Sequence, residues 1–251
     1  MHDKLKLLIN QINTINNMTE HNQHLTTKLS DFLLYLAEFS RQGGSNFPSL
    51  SELSNELGVS VSTIREQLQV AKSLGLVDIK PRTGIRILEY SFSPALTTSL
   101  AYSICLDREN FDLYADLRKH VEIAYWYLAV SKLTFGDLVF LKECVSNAQK
   151  KLMNHPIQIP QVEHRDLHIT IFKRLENKFV TGILETYWDL YEAVGLNYYE
   201  DRSYLENVWQ YHKQIVESIE TSNFELGYQL MIDHMDLIQE RKKTDTSSLF
   251  E

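Results

Sequence analysis

FPSLSELSNELGVSVSTIREQLQVAKSLGLVDIKPRTGIRILEY, residues 47–90, is the stretch on which the reading of the fold turns. Up to Gly75 its apolar residues recur at helical spacing; beyond it two short β-like runs flank Pro81-Arg82-Thr83-Gly84. In a helix-turn-helix, a short helix braces a second one whose first turn enters the major groove. The turn must be tight and the second helix must open on small polar residues. Here Leu53 and Leu57 form the inward face of the first helix, Gly58 permits a positive φ, and Val59 plugs the turn. Ser60, Ser62 and Thr63 are cap candidates, with Thr63 and Glu66 at capping-box spacing. Ile64, Leu68, Ala71 and Leu74 make the buried stripe of the second helix, which leaves Ser62, Thr63, Arg65, Gln69 and Lys72 outward. A guanidinium at Arg65 suits a phosphate or the paired acceptors of guanine.

Upstream, LSDFLLYLAEFS at 29–40 is apolar nearly all round and stops at Arg41-Gln42-Gly43-Gly44, which predicts a helix. Residues 1–28 carry Leu5, Leu8, Ile9, Ile12 and Ile15 at helical spacing and then turn polar, an amphipathic extension followed by a connector. Downstream, SFSPALTTS marks a linker at 91–96, where Pro94 is expected to interrupt any helix. No strand is expected after it. Helices are predicted near 97–105, 109–132, 135–153, 160–175, 177–197, 203–220 and 223–243, with a tail at 244–251. The fold class that follows is mostly α: an N-terminal winged helix-turn-helix at 29–90, with three helices and a β-hairpin wing, then an all-α antiparallel bundle at 97–243.

The chain has 251 residues and a formal charge of -8, so any contact with nucleic acid must come from a local basic face. One exists: between Ser60 and Leu88, Arg65, Lys72, Lys80, Arg82 and Arg86 stand against Glu66 and Asp78, a net of +3. Cys105 and Cys144 sit in apolar helical patterns and read as two buried thiols, which suits a reducing cytoplasm. No window approaches a membrane span and no export signal is recognised, so the expectation is a cytoplasmic protein without a membrane partner.

The composite of residues 29–90, from the Pro-Ser start through Gly-Val-Ser and Ile-Arg-Glu-x-Leu to PRTGIRI, resembles the winged helix of GntR-type regulators. The resemblance implies a homodimer on double-stranded operator DNA. Arg65 would contact DNA, Ser60, Ser62 and Thr63 would touch phosphates or bases, and Arg82, Thr83 and Gly84 would form the wing tip. Ser51 and Val61 stand where such regulators commonly carry arginine, and Gln67 where alanine is common.

Histidine spacing is the second signal. His164 and His168 are i and i+4 on one predicted helix and share a face. His212 and His234 lie equally far from residue 223, inside the turn Thr221-Ser222-Asn223, so an antiparallel hairpin sets them at one level. All four could converge on one ion.

RDLHITIFKRLENKFV and YHKQIVESIETSNFELGYQLMIDHM resemble the effector domain of the FadR-type branch, the FCD domain, whose metal-binding members carry Asp-x3-His and two later histidines. By that resemblance His168, His212 and His234 are ligands, and His164 stands at the Asp position. An all-imidazole set favours zinc or nickel over manganese, and Asp166, pointing to another face, is the weaker substitute. LYADLRKHVEIAYWYLA resembles the domain's first long helix, in which an arginine reaches the cavity; Arg118 matches it, with Glu122 one turn on. A guanidinium beside an ion makes a two-point clamp for a carboxylate effector, and the alternative is a plain surface ion pair. Tyr187, Trp188, Tyr191 and Asn197 either line the same cavity or are core aromatics and their neighbour. The expectation is a ligand-responsive DNA-binding transcription regulator, a repressor that senses a small carboxylate metabolite through a metal-containing pocket, rather than an enzyme. The rivals are a metalloenzyme using the histidine cluster and a winged helix that binds protein.

Overall fold

The computed structural model describes residues 28–43, 47–80, 84–191, 193–194 and 202–247, with side chains of the last helix as far as residue 237. The predicted extension at 1–28 falls, apart from its last residue, outside the described residues. The chain divides into two compact units, 1–95 and 96–251.

In the first unit, α1 (Asp31–Arg41), α2 (Leu50–Leu57) and α3 (Val61–Ser73) precede an antiparallel hairpin of β1 (Val77–Lys80) and β2 (Gly84–Ile87). The hairpin register sets Val77 against Ile87 and Lys80 against Gly84. Caps fix the helix starts. Ser49 and Glu52 form a reciprocal capping box on α2, and Gly58, at φ 70°, closes that helix in the left-handed region that a side chain would strain. At α3 the cap is Ser60, whose hydroxyl accepts from the Thr63 amide at 3.1 Å. The expected box between Thr63 and Glu66 does not form, because Thr63 already lies in the first turn. Phe32, Leu36, Leu53, Leu57, Ile64, Leu68, Ala71 and Val77 make the core, while Leu74 is only half-buried.

Pro94 does not break a helix. It sits second in α4 (Ser93–Leu106), where the missing amide and fixed φ cost nothing, so four of the six residues of the expected linker at 91–96 are helical. The second unit continues through α5 (Glu109–Val130), α6 (Phe135–Met153), α7 (Gln161–Phe172), α8 (Lys178–Tyr191), α9 (Arg202–Glu220) and α10 (Phe224–Ser247). Helices α7 and α8 start and stop inside their expected spans, and α10 runs into the stretch expected to be a tail. Thr134 and Asp137 cap α6 reciprocally, and Asp137 also takes Lys173 and Arg174 from the end of α7. That cation pressure holds its carboxyl far below the usual carboxylate range, with Arg174 the main cause.

Trp126, Leu141, Leu167, Ile171, Phe172, Ile215 and Met231 are fully buried at the centre of the bundle. Gly227 lets α10 approach: a Cβ there would lie 2.4 Å from Ser218 Oγ and 2.5 Å from the Trp126 ring. The Trp126 indole N–H donates to the Phe224 carbonyl at 2.9 Å, tying α5 to the start of α10. Cys144 is buried as expected, its thiol pushed up to about 12 mainly by burial, but Cys105 near the end of α4 is exposed. The apolar pattern around Cys105 was a poor guide because α4 is apolar on more than one face. No described helix is long and apolar enough to cross a membrane.

Candidate functional site

Four histidines meet inside the bundle. His164 and His168 come from successive turns of α7, His212 from α9 and His234 from α10, and their ligand nitrogens all lie within 4.8 Å of one another. The hairpin α9–α10 turns at Thr221-Ser222-Asn223, and equal distance from the turn brings the His212 and His234 rings to 4.2 Å between centroids. His168, His212 and His234 are buried; His164 is half-buried. Asp166 points away and pairs with Arg165 on the surface side.

His168 Nε2 and His212 Nε2 are 3.2 Å apart. Imidazoles sharing one first-row ion at roughly 2.0–2.1 Å from each nitrogen hold those nitrogens about 3.0–3.4 Å apart. Meanwhile His164 Nε2, His212 Nδ1, His234 Nδ1 and Trp188 Nε1 are buried without a hydrogen-bond partner. Each such orphan costs about 1–3 kcal/mol if nothing binds it; an ion can take the lone pairs of His164 Nε2 and His234 Nδ1 and one nitrogen of His212, whereas the Trp188 indole N–H only donates and would need an acceptor. The residues present fit a divalent transition metal.

Glu122 and Arg118 from α5 stand directly behind His168. Arg118 Nε donates to Glu122 Oε1 at 2.5 Å, and Glu122 Oε2 lies 2.8 Å from His168 Nδ1. Both residues are buried, so the pair is no surface ion pair. Arg118 Nη2 also approaches His168 Nδ1, at 2.9 Å. A neutral imidazole can donate to Glu122 from that nitrogen or accept there from Arg118, not both. Only the first leaves Nε2 bare for a metal, and the carboxylate selects it.

Burial by itself raises the Glu122 carboxyl, but Arg118 and His168 outweigh it and hold the group below the usual range. Burial lowers His168, with Arg118 adding to it and Glu122 opposing. Burial, reinforced by neighbouring histidines and Arg118, pushes His164, His212 and His234 well below 6.5. Metal-ready imidazoles are thus kept neutral.

The Arg118 guanidinium lies over the rings of Tyr187 and Trp188, 4.1 and 4.7 Å from their centroids. Tyr187 is buried and stacks on Phe111. Tyr191 flanks His164 and lines a narrow cavity with Ile159, Pro160, Val208 and Trp209 that has room for a water molecule. Asn197 lies outside the described residues. Trp209 was missed by the sequence reading, although it sits one helical turn before His212 and packs 4.8 Å from that ring.

In the first unit Ser62, Arg65, Gln69 and Lys72 are exposed along α3. Ser60 and Thr63 are partly committed, since their hydroxyls bond each other at 2.9 Å as well as capping the helix. Gly84 opens β2 at φ 81°; Arg82 and Thr83 lie outside the described residues.

Comparison with known proteins assigns an FCD domain to residues 113–237 and a helix-turn-helix domain to residues 24–77. The chain belongs to the GntR family, in the branch that carries an FCD domain. It is 22% identical over 207 residues to the HTH-type transcriptional regulator LutR of Bacillus subtilis, covering 78% of this chain and 91% of LutR. It is also 22% identical over 203 residues to the Uxu operon transcriptional regulator of Escherichia coli, covering 79% of this chain and 78% of that protein. A solved GntR structure from Streptococcus agalactiae has the same fold, with a TM-score of 0.63 at 17% identity, covering 84% of this chain and 97% of its own.

These relatives are transcription regulators, so this GntR-family chain is a regulator and the metalloenzyme reading falls. The FCD span contains all four histidines together with Arg118 and Glu122, and the helix-turn-helix span contains α2 and α3.

Proposed function

We propose that this regulator is a cytoplasmic homodimeric repressor that binds operator DNA through α3 and its wing and responds to a small carboxylate at a metal centre in the FCD domain. The observation that carries the reading is the cluster of four histidines, three of them buried and His164 half-buried, with partnerless nitrogens. His164, His168, His212 and His234 would hold zinc or nickel, an all-nitrogen set suited to later first-row metals. When bound, the ion supplies a positive centre to which a carboxylate oxygen can attach.

The chain's own residues do the rest. Glu122 orients His168 and keeps its Nδ1 proton, which makes it a positioning residue rather than an effector contact. Arg118, stacked on Tyr187 and Trp188, offers a guanidinium edge to the second carboxylate oxygen, and Tyr191 borders the approach. Because the space beside His164 now admits one water, an acid must widen it, and this displacement is the event passed to the DNA-binding units. On the DNA side Arg65, Ser62, Gln69 and Lys72 face the groove and Ser60 and Thr63 meet phosphates as the helix begins, and by the family resemblance Arg82, Thr83 and Gly84 would contact DNA from the wing.

The test is elemental analysis of untagged protein purified without chelator, followed by operator binding while small carboxylates are titrated in. Stoichiometric metal and a carboxylate-dependent change in operator affinity are expected. Metal-free protein whose melting is indifferent to chelator overturns the metal reading. A flat dependence of DNA binding on salt overturns the DNA reading and favours a protein partner.

A further inference from the structure

Helix α1 is apolar on two sides. Phe32 and Leu36 face the core of the first unit, while Leu33 and Ala37 follow Leu29 along a second stripe beside it. Together with Leu76, Leu88 and Phe92 this stripe lines a groove of about 520 Å³ that lies wholly within the first unit. The far wall continues the hairpin, since the Leu88 amide donates to the Leu76 carbonyl at 3.0 Å. Near by, the start of α4 packs on the end of α3: a Cβ at Gly75 would lie 2.5 Å from the Pro94 ring. The groove is thus held open by packed elements. Among the described residues no charged side chain lines it, and Leu29 at its rim is 42% exposed. Contiguous apolar surface of this kind marks a place where something binds.

The chain itself carries a segment that suits it. Wound at 3.6 residues per turn, Leu5, Leu8, Ile9, Ile12 and Ile15 fall within an arc of about 120°. Lys4, Lys6, Asn10, Gln11, Asn13 and Thr14 take the rest of the circumference, with Leu7 among them. An amphipathic helix laid in an apolar groove needs this division. The polar stretch 16–28 joins the segment to Leu29, on the groove's own rim. Extended, that stretch spans about 40 Å, whereas α1 is about 16 Å long, so the whole groove is within reach. A tether of this length gives an effective concentration on the order of millimolar, which any free ligand must outcompete. A second copy is a poorer occupant, because a two-fold axis here would oppose one hollow to an identical hollow. A charged partner would find no countercharge on the described lining.

We propose that residues 5–15 form a helix that folds back on its own chain and seats its Leu and Ile stripe in the groove between α1 and the end of the hairpin. The extension is then part of the DNA-binding unit, covering the second apolar side of α1. Because Leu88 directly follows β2, the seated helix also braces the base of the wing.

The experiment compares the full chain with its double variant Leu8→Asp, Ile12→Asp. Hydrogen exchange at residues 33–37 and 87–92 should quicken at least about tenfold in the variant, with the helical bundle unchanged. Binding of the apolar dye anilinonaphthalene sulfonate should rise, because the groove is uncovered. In a Cys105→Ser background a short bis-maleimide should join Ile12→Cys to Ala37→Cys within one chain, and Asn10→Cys to Ala37→Cys far less. Exchange and dye binding that do not differ between wild type and variant would overturn the proposal; a wild type that already takes up the dye leaves the groove to a small apolar ligand. Links between copies instead of within one would put the segment in a partner's groove and end the fold-back. If Asn10→Cys links as well as Ile12→Cys, the segment passes the groove without seating its stripe. Should the double variant precipitate, the cross-links decide alone.

Discussion

The two units keep their chemistry in opposite places. On α3 of the N-terminal unit, Ser62, Arg65, Gln69 and Lys72 stand in solvent around an apolar core that they do not enter. In the helical bundle Arg118, Glu122, His168, His212 and His234 are all buried at its centre. Exposed polar groups are satisfied by water until DNA replaces it, so their unit folds without a partner. Buried ones must satisfy one another or a guest, and each unmet nitrogen is a standing cost. An exposed polar surface can therefore be edited without touching stability, whereas a buried polar centre cannot.

Substituting Glu122 tests that contrast most severely. Glu122→Gln leaves the Arg118 guanidinium buried without its counter-charge and releases the proton on His168 Nδ1, so a loss of roughly 3–5 kcal/mol is expected in chemical denaturation. A variant as stable as wild type would mean that Arg118 is solvated and the centre is open. Next come the histidines. His212→Ala or His234→Ala should remove the metal and lower Tm by on the order of 10 °C, because an ion at about a thousandfold excess over its Kd stabilises by about 4 kcal/mol. Operator binding by Arg65→Ala should fall roughly ten- to a hundredfold, with metal content and Tm unchanged. A change in Tm there would erase the distinction between the units. Smallest is the cap on α2: Ser49→Ala should cost about 1 kcal/mol and affect only the first unit, as read by hydrogen exchange.

Acid separates the units as well. Folding lowers the pKa of the buried histidines below 6.5, so under acid the unfolded chain takes up protons that the folded bundle refuses. Their contribution is neutral above pH 6.5 and destabilising as pH falls below it. In the N-terminal unit Glu38, held down mainly by its hydrogen bond to Arg41, stabilises above pH 4.5 and loses this only as pH falls below that value. Unit-resolved hydrogen exchange should therefore show the bundle loosening first as the solution is acidified. Since release of the ion requires protonating imidazoles that resist it, metal should be retained below pH 6. Loss of metal at pH 6.5 would mean that the cluster is wetter than its burial implies.

Much of this was legible in one dimension. The winged helix could be read from Leu53, Leu57, Gly58, Ile64 and Leu68 because its elements are short, local and punctuated by caps and turns. The histidine pair on α7 and the symmetric placement of His212 and His234 about their turn follow from helical and hairpin geometry alone. Where the reading slipped, the local signal was ambiguous: Pro94 is as compatible with a helix start as with a break, and an apolar stretch around Cys105 does not say which face is covered.

What the sequence determined by itself, then, was the order of elements, the faces of each helix and the residue types that could bind DNA or metal, all set by backbone periodicity within a few turns. Only the tertiary structure decided that Glu122 lies behind His168, that Arg118 is sheathed by Tyr187 and Trp188, that Trp209 walls the site, and that α1 borders an apolar groove. Periodicity fixes where a side chain points around its own helix, whereas its neighbours depend on how several helices pack, and that is settled by interactions between residues tens of positions apart.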